Sequence, residues 1–110
     1  MTEVISYLAT TLGVRVSSYR PENPPSEMVT VLRSGGTGDR FLDNPLILIH
    51  AWSTTDVGAY ELADRAVKAM LELPDHSNNI ALVEQNSFYS NAYTDGTPRW
   101  SALMQCVCNR

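Results

Sequence analysis

The chain has 110 residues, 44% of them hydrophobic and 18% charged, with a formal net charge of −4 at pH 7. Such a length supports one domain, residues 1–110, around one core that buries roughly two thirds of the unfolded surface, and the composition excludes a disordered chain. Seven arginines and a single lysine, Lys68, supply the cations. That acidic, lysine-poor balance argues against autonomous nucleic-acid binding, which needs a basic patch to neutralise phosphates. Arginine suits polar interfaces, where a planar guanidinium meets carboxylates in fixed geometry.

No apolar run approaches the roughly 20 residues that span a bilayer, so no membrane partner is expected. Met1-Thr2-Glu3-Val4 lacks the charged region and cleavage site of a signal peptide. Cys106 and Cys108 lie two apart, point the same way if they share a strand, and are then poorly placed for an unstrained disulfide. Both are expected as reduced thiols of a cytoplasmic protein.

In chain order, Val4, Ile5, Leu8 and Leu12 fall at helical spacing, Glu3 sits favourably in the first turn, and Gly13 suits a left-handed stop. Val14–Ser18 alternates as a brief strand. Arg20-Pro21-Glu22-Asn23-Pro24-Pro25-Ser26 is too proline-rich for a helix or a central strand and reads as a stiff, extended connection. Met28–Arg33 is apolar and β-branched, a second strand. Ser34-Gly35-Gly36-Thr37-Gly38-Asp39-Arg40 has the glycines of a phosphate cradle but neither the lysine nor the following helix that a phosphate loop requires. It is expected to be a hairpin tip.

The chain is organised around Asn44–Leu73. Leu46-Ile47-Leu48-Ile49 has no alternation, which predicts a strand covered on both faces, one by the helix that follows and the other by either a second layer or a neighbouring subunit. Burying those four side chains completely contributes on the order of 6–12 kcal/mol before entropy. Ser53-Thr54-Thr55-Asp56 starts a long helix with Ala59, Leu62, Ala63, Ala66, Met70 and Leu73 on one stripe, ended by Pro74; Glu61–Arg65 and Asp64–Lys68 are spaced as exposed ion pairs. Ile80–Val83 and Ser87–Tyr89 form a strand interrupted near Glu84–Asn86, Asp95-Gly96 marks a turn, and Arg99–Asn109 is the last strand. Trp100, Ala102, Met104, Cys106 and Cys108 line its apolar side. This order implies an α+β fold: a largely antiparallel sheet with a short N-terminal helix and one long central helix packed on one face.

No reaction centre is visible. Cys-x-Cys with His50 and His76 lacks the spacing of a structural zinc site, no nucleophile elbow is present, and no cofactor is expected. His50 reads as a hydrogen-bonded core or interface residue, and Trp52 and Trp100 as core residues first, with an interface anchor as the alternative for each. Asp39 and Asp43 flank a loop that also holds Arg40, which favours local pairing or a subunit contact over acid–base catalysis. Arg33, Arg40 and Arg99 border turns or strand ends, where solvated and bridging arginines are both expected.

Assembled in order, these segments resemble the tail terminator (tail completion) proteins of long-tailed bacteriophages. The residues that carry the likeness are Pro24-Pro25 ahead of Met28-Val29-Thr30-Val31, then Arg33-Ser34-Gly35-Gly36 and Arg40-Phe41-Leu42-Asp43-Asn44-Pro45. The strand Ile47–Trp52, Ala59–Ala63 of the long helix and Gly96-Thr97-Pro98-Arg99-Trp100 complete it. The resemblance implies a non-enzymatic homo-oligomeric ring, typically of six subunits, in the virion at the head-proximal end of the tail. Its partners are the tail tube protein, on whose last disc it stops polymerisation, and the head-tail connector proteins. Candidate subunit or tube contacts are Arg33, Arg40, Phe41, Asp43, Asp95 and Arg99. A neck protein that joins connector to tail is the alternative within the virion. A small cytosolic enzyme or ligand-binding domain using His50 is the alternative outside it.

Overall fold

The structure, a computed structural model, describes residues 2–38, 43–77, 80–90 and 92–108, the side chains of residues 2, 34–44 and 108 excepted. The elements are α1 (Thr2–Leu12), β1 (Arg15–Ser17), β2 (Met28–Gly38), β3 (Asp43–Trp52), α2 (Asp56–Glu72), a 3₁₀ turn (Leu73–Asp75), β4 (Ile80–Ser90) and β5 (Arg99–Cys108). The strands form one five-stranded sheet in the order β1-β2-β3-β5-β4. Only β1 runs parallel to its neighbour, and every other pairing is antiparallel. The expected α+β architecture is the one observed.

Both helices pack on one face. Val4, Leu8 and Leu12 of α1 and Leu62, Ala63, Ala66, Val67 and Met70 of α2 share a core with Val29, Val31, Ile47, Ile49, Ala102, Met104 and Cys106 of the sheet. Gly13, at φ +70°, closes α1, its N–H donating to the Ala9 carbonyl at 3.0 Å. The Arg65 guanidinium reaches across from α2 to the Leu12 carbonyl at 2.7 Å, satisfying one of the carbonyls that a helix end leaves open. The Tyr7 hydroxyl donates to the Ala69 carbonyl at 2.8 Å and ties the two helices together. Thr55 caps α2, its hydroxyl accepting from the Gly58 N–H at 3.0 Å. On the outer face of α2, Lys68 pairs with Asp64 at 2.8 Å, as its spacing predicts.

One expectation is corrected. The glycine-rich stretch is not simply a hairpin tip. The β2–β3 ladder continues past a bulge between Arg33 and Gly35 and pairs Gly35 with Leu46, Gly36 with Pro45 and Gly38 with Asp43. Backbone hydrogen bonding needs no side chain, so glycine's weak strand preference is overridden by pairing to β3. The unalternating run of β3 also serves two unequal faces. Ile47 and Ile49 are buried under the helices, whereas Leu46 and Leu48 point the other way and are half-buried. Most of the burial expected for the four side chains is therefore realised within the chain, with Leu46 and Leu48 keeping part of their surface exposed.

Among the described residues, the face away from the helices is covered most fully at one end. There Met28, Thr30, His50, Trp52 and Ser101 are buried, with Arg20 of the proline-rich connection and Tyr93 of the β4–β5 connection lying over Trp52. Further along, Leu32 of β2 is 41% exposed and Leu82 of β4 is 47% exposed.

Candidate subunit-contact site

The Asp95-Gly96 turn is built as its sequence dictates. Gly96 N–H donates to the Tyr93 carbonyl at 2.9 Å and Tyr93 N–H to the Thr97 carbonyl at 3.0 Å, while Gly96 takes a φ of +86° that side chains disfavour. The Asp95 carboxylate accepts from the Thr97 N–H at 2.9 Å. The turn thereby presents Tyr93, Asp95 and Thr97 to one residue from far away in sequence, Arg20. Its Nη1 donates to Asp95 Oδ2 at 3.1 Å and its Nη2 to Thr97 Oγ1 at 3.2 Å. Hydrogen bonds from Thr97, then the Arg20 guanidinium, hold the Asp95 carboxyl at a pKa of about 2, so it is ionised at neutral pH.

Two cations share two rings. The Arg20 guanidinium lies 4.6 Å from the Trp52 ring centre and 5.1 Å from that of Tyr93, and the Arg99 guanidinium 5.0 and 5.3 Å from the same rings. Trp52 and Tyr93 meet edge to face at 5.0 Å. The Trp52 indole N–H is held by Thr30 Oγ1 at 3.2 Å, which fixes the ring against the sheet. Arg20 Nε is shut off from solvent with no acceptor among the described residues. Beside the cluster opens a cavity of about 280 Å³ walled by Arg20, Pro24, Pro25, Trp52, Thr97 and Pro98.

Beneath Trp52, His50 lies with its Nδ1 2.6 Å from the Ser101 Oγ, and burial, with Arg99 nearby, lowers its pKa to about 4. This is the hydrogen-bonded buried histidine expected from its place in an apolar strand. Among the described residues, no group of three His, Cys, Asp or Glu side chains is placed to hold a metal ion.

Of the six candidate contact residues, the structure brings two together, Asp95 and Arg99. Arg33 stands exposed on β2 toward the opposite end of the sheet. Asp43 opens β3 opposite Gly38, and its side chain, like Arg40 and Phe41 altogether, lies outside the described residues. From Met28 to Gly38 the strand rise spans roughly 30 Å, most of the 41 Å length of the molecule. The described candidates thus fall at two poles. Sequence reasoning missed Arg20, Tyr93 and Thr97 as members of the site, while Trp52 is buried as its core reading expects. Nothing in local spacing announces an Arg20–Asp95 pair.

A second aromatic group lies at the start of α2. Tyr60, Phe88 and Trp100 meet pairwise at 5.0–5.6 Å, and the Trp100 indole donates to Asp56 at 3.0 Å. Trp100 is half-buried there rather than part of the closed core.

No protein-family model matches the chain, and no curated protein matches it. Among the described residues, no helix is long and apolar enough to cross a membrane.

Proposed function

We propose that the chain is a structural subunit of a phage tail terminator. In this reading it forms a homo-oligomeric ring of about six copies on the head-proximal end of the tail tube, ends tube growth and presents a surface to the head's connector. It works by shape and surface contact and needs no cofactor. The observation that carries the reading is the Arg20–Trp52–Tyr93–Asp95–Arg99 cluster. It stands on the Gly96–Trp100 segment that carries part of the family resemblance, and it is made of the residue types that dominate protein–protein hot spots.

Position supports the same reading. A closed ring joins unlike surfaces head to tail, and the described candidate residues stand toward opposite ends of the sheet. An acidic surface also lets DNA pass a central opening without adhering.

The test is electron microscopy of particles assembled without the protein. Overlong tails are expected; tails of normal length, detached from heads, would instead assign it to the neck and refute the terminator reading. In particles carrying Arg40→Glu or Arg99→Glu, ring formation and tail-length control should fail. If both survive both changes, the contact assignments are wrong.

A further inference from the structure

We infer that Asp95 is the chain's site of isoaspartate formation, and that its bonds to Thr97 and Arg20 set how slowly the isomer forms. The chemistry is independent of whether the chain builds a ring.

The sequence singles the position out. Isomerisation of an aspartyl residue begins when the backbone nitrogen of the next residue attacks the side-chain carboxyl carbon. A side chain on that next residue hinders the approach, and glycine has none. Asp95 is the one aspartate followed by glycine, and no asparagine is followed by glycine. The Asp95 side chain is 51% exposed, so water reaches it.

The atoms balance with water alone. The Gly96 nitrogen bonds to Asp95 Cγ, and the carboxyl loses its hydroxyl oxygen, which departs as water with the acid proton and the amide hydrogen. A five-membered imide remains. Water then adds to one of its two carbonyls. Opening at the backbone carbonyl breaks the original Asp95–Gly96 peptide bond and leaves Gly96 joined through Cγ. The product is isoaspartate, with the same composition and mass as before.

Three contacts of the folded chain oppose the first step. The Gly96 N–H donates to the Tyr93 carbonyl at 2.9 Å, which commits the attacking nitrogen to the turn. Asp95 Oδ1 accepts from the Thr97 N–H at 2.9 Å, and Oδ2 accepts from Arg20 Nη1 at 3.1 Å. Both carboxyl oxygens are thereby tethered, and swinging Cγ onto the Gly96 nitrogen breaks those bonds. The same partners, Thr97 first and then Arg20, lower the carboxyl pKa from 3.8 to about 2. Loss of water needs the protonated acid, whose fraction falls tenfold per pKa unit, so this factor alone slows the step by roughly 10- to 100-fold.

The product does not fit the turn that made it. Isoaspartate lengthens the main chain by one carbon and carries its carboxylate directly on Cα. The bonds to the Thr97 N–H and to Arg20 cannot both survive that change. Arg20 and Tyr93, which lie over Trp52, then lose the contact that joins them across the two connections.

The full-length wild-type protein, Arg20→Gln and Thr97→Val are warmed at neutral pH, with the wild type in urea as the unlocked reference. The tryptic peptide ending at Arg99 is then resolved by chromatography into aspartate and isoaspartate forms of equal mass, and fragmentation locates the isomer. In urea isoaspartate should accumulate at Asp95, and in the folded wild type at least about tenfold more slowly. Each folded variant should exceed the wild-type rate several-fold; if one variant fails to fold, the other decides. No isomer at Asp95 in urea, equal rates for folded and unfolded wild type, or wild-type rates in the folded variants overturns the inference.

Discussion

His50 is 8% exposed beneath Trp52, its Nδ1 2.6 Å from the Ser101 hydroxyl, and its pKa is lowered from 6.5 to about 4 by burial and by Arg99. The native state thus holds this imidazole neutral at pH values where the unfolded chain has already bound a proton. Between the two pKa values the unfolded state binds more protons, so stability rises with pH. The contribution is complete above about pH 6.5 and is lost as pH falls toward about 4. At about 1.4 kcal/mol per pKa unit, and allowing for water at the mouth of the site, acidification from pH 7 to pH 5 removes about 1–2 kcal/mol. Urea unfolding at pH 7, 6 and 5 measures it, with His50→Gln as the control that keeps a hydrogen-bonding group toward Ser101 without titrating. The wild-type protein should lose that much more than the variant over this range. Asp95, with its pKa near 2, does not titrate in the window. Equal pH slopes for the two proteins would refute the argument.

Other substitutions test neighbouring parts of the structure. Gly58→Ala should destabilise the protein even though alanine favours a helix by about 1 kcal/mol over glycine. Its Cβ would lie 2.5 Å from Ser53 Oγ and 2.8 Å from Thr55 Oγ1, displacing the α2 cap, worth about 0.5–2 kcal/mol, and crowding a buried serine. The expected net loss of about 1–2 kcal/mol is read by urea denaturation, and a stabilised variant would contradict it. Arg65→Ala should cost about 1 kcal/mol by uncapping the Leu12 carbonyl, with faster amide exchange at the end of α1. Asp95→Ala should leave the melting temperature nearly unchanged while speeding exchange of the Thr97 amide, because its bonds lie on the surface.

The fold was legible where periodicity and punctuation agree. Thr55, the alanine stripe and Pro74 mark α2; Gly13 marks the end of α1; and the polar Glu84–Asn86 stretch falls on one of the two β4 bulges. The glycines of β2 misled because local preference cannot register the partner strand that overrides it. On β3 the even apolar run foretells cover on both faces but not how unequal that cover is, because Leu46 and Ile47 are chemically alike and only their neighbours differ. At the candidate site, Asp95 and Arg99 were accessible through their turn, but Arg20 is 75 residues from Asp95 in sequence. Its partner is set by the path of the proline-rich connection, which leaves no periodic trace.

That connection has one more effect. Pro24, Pro25 and Pro98 form part of the wall of the cavity beside Trp52, and each proline has a torsion angle locked by its own ring. If a partner segment docks here, as the proposed function has it, it would meet a mould already set, and little backbone freedom would remain to be lost on contact. Recognition would then depend on the visitor's fit to a fixed shape, which favours rapid selection among candidates over slow mutual adjustment.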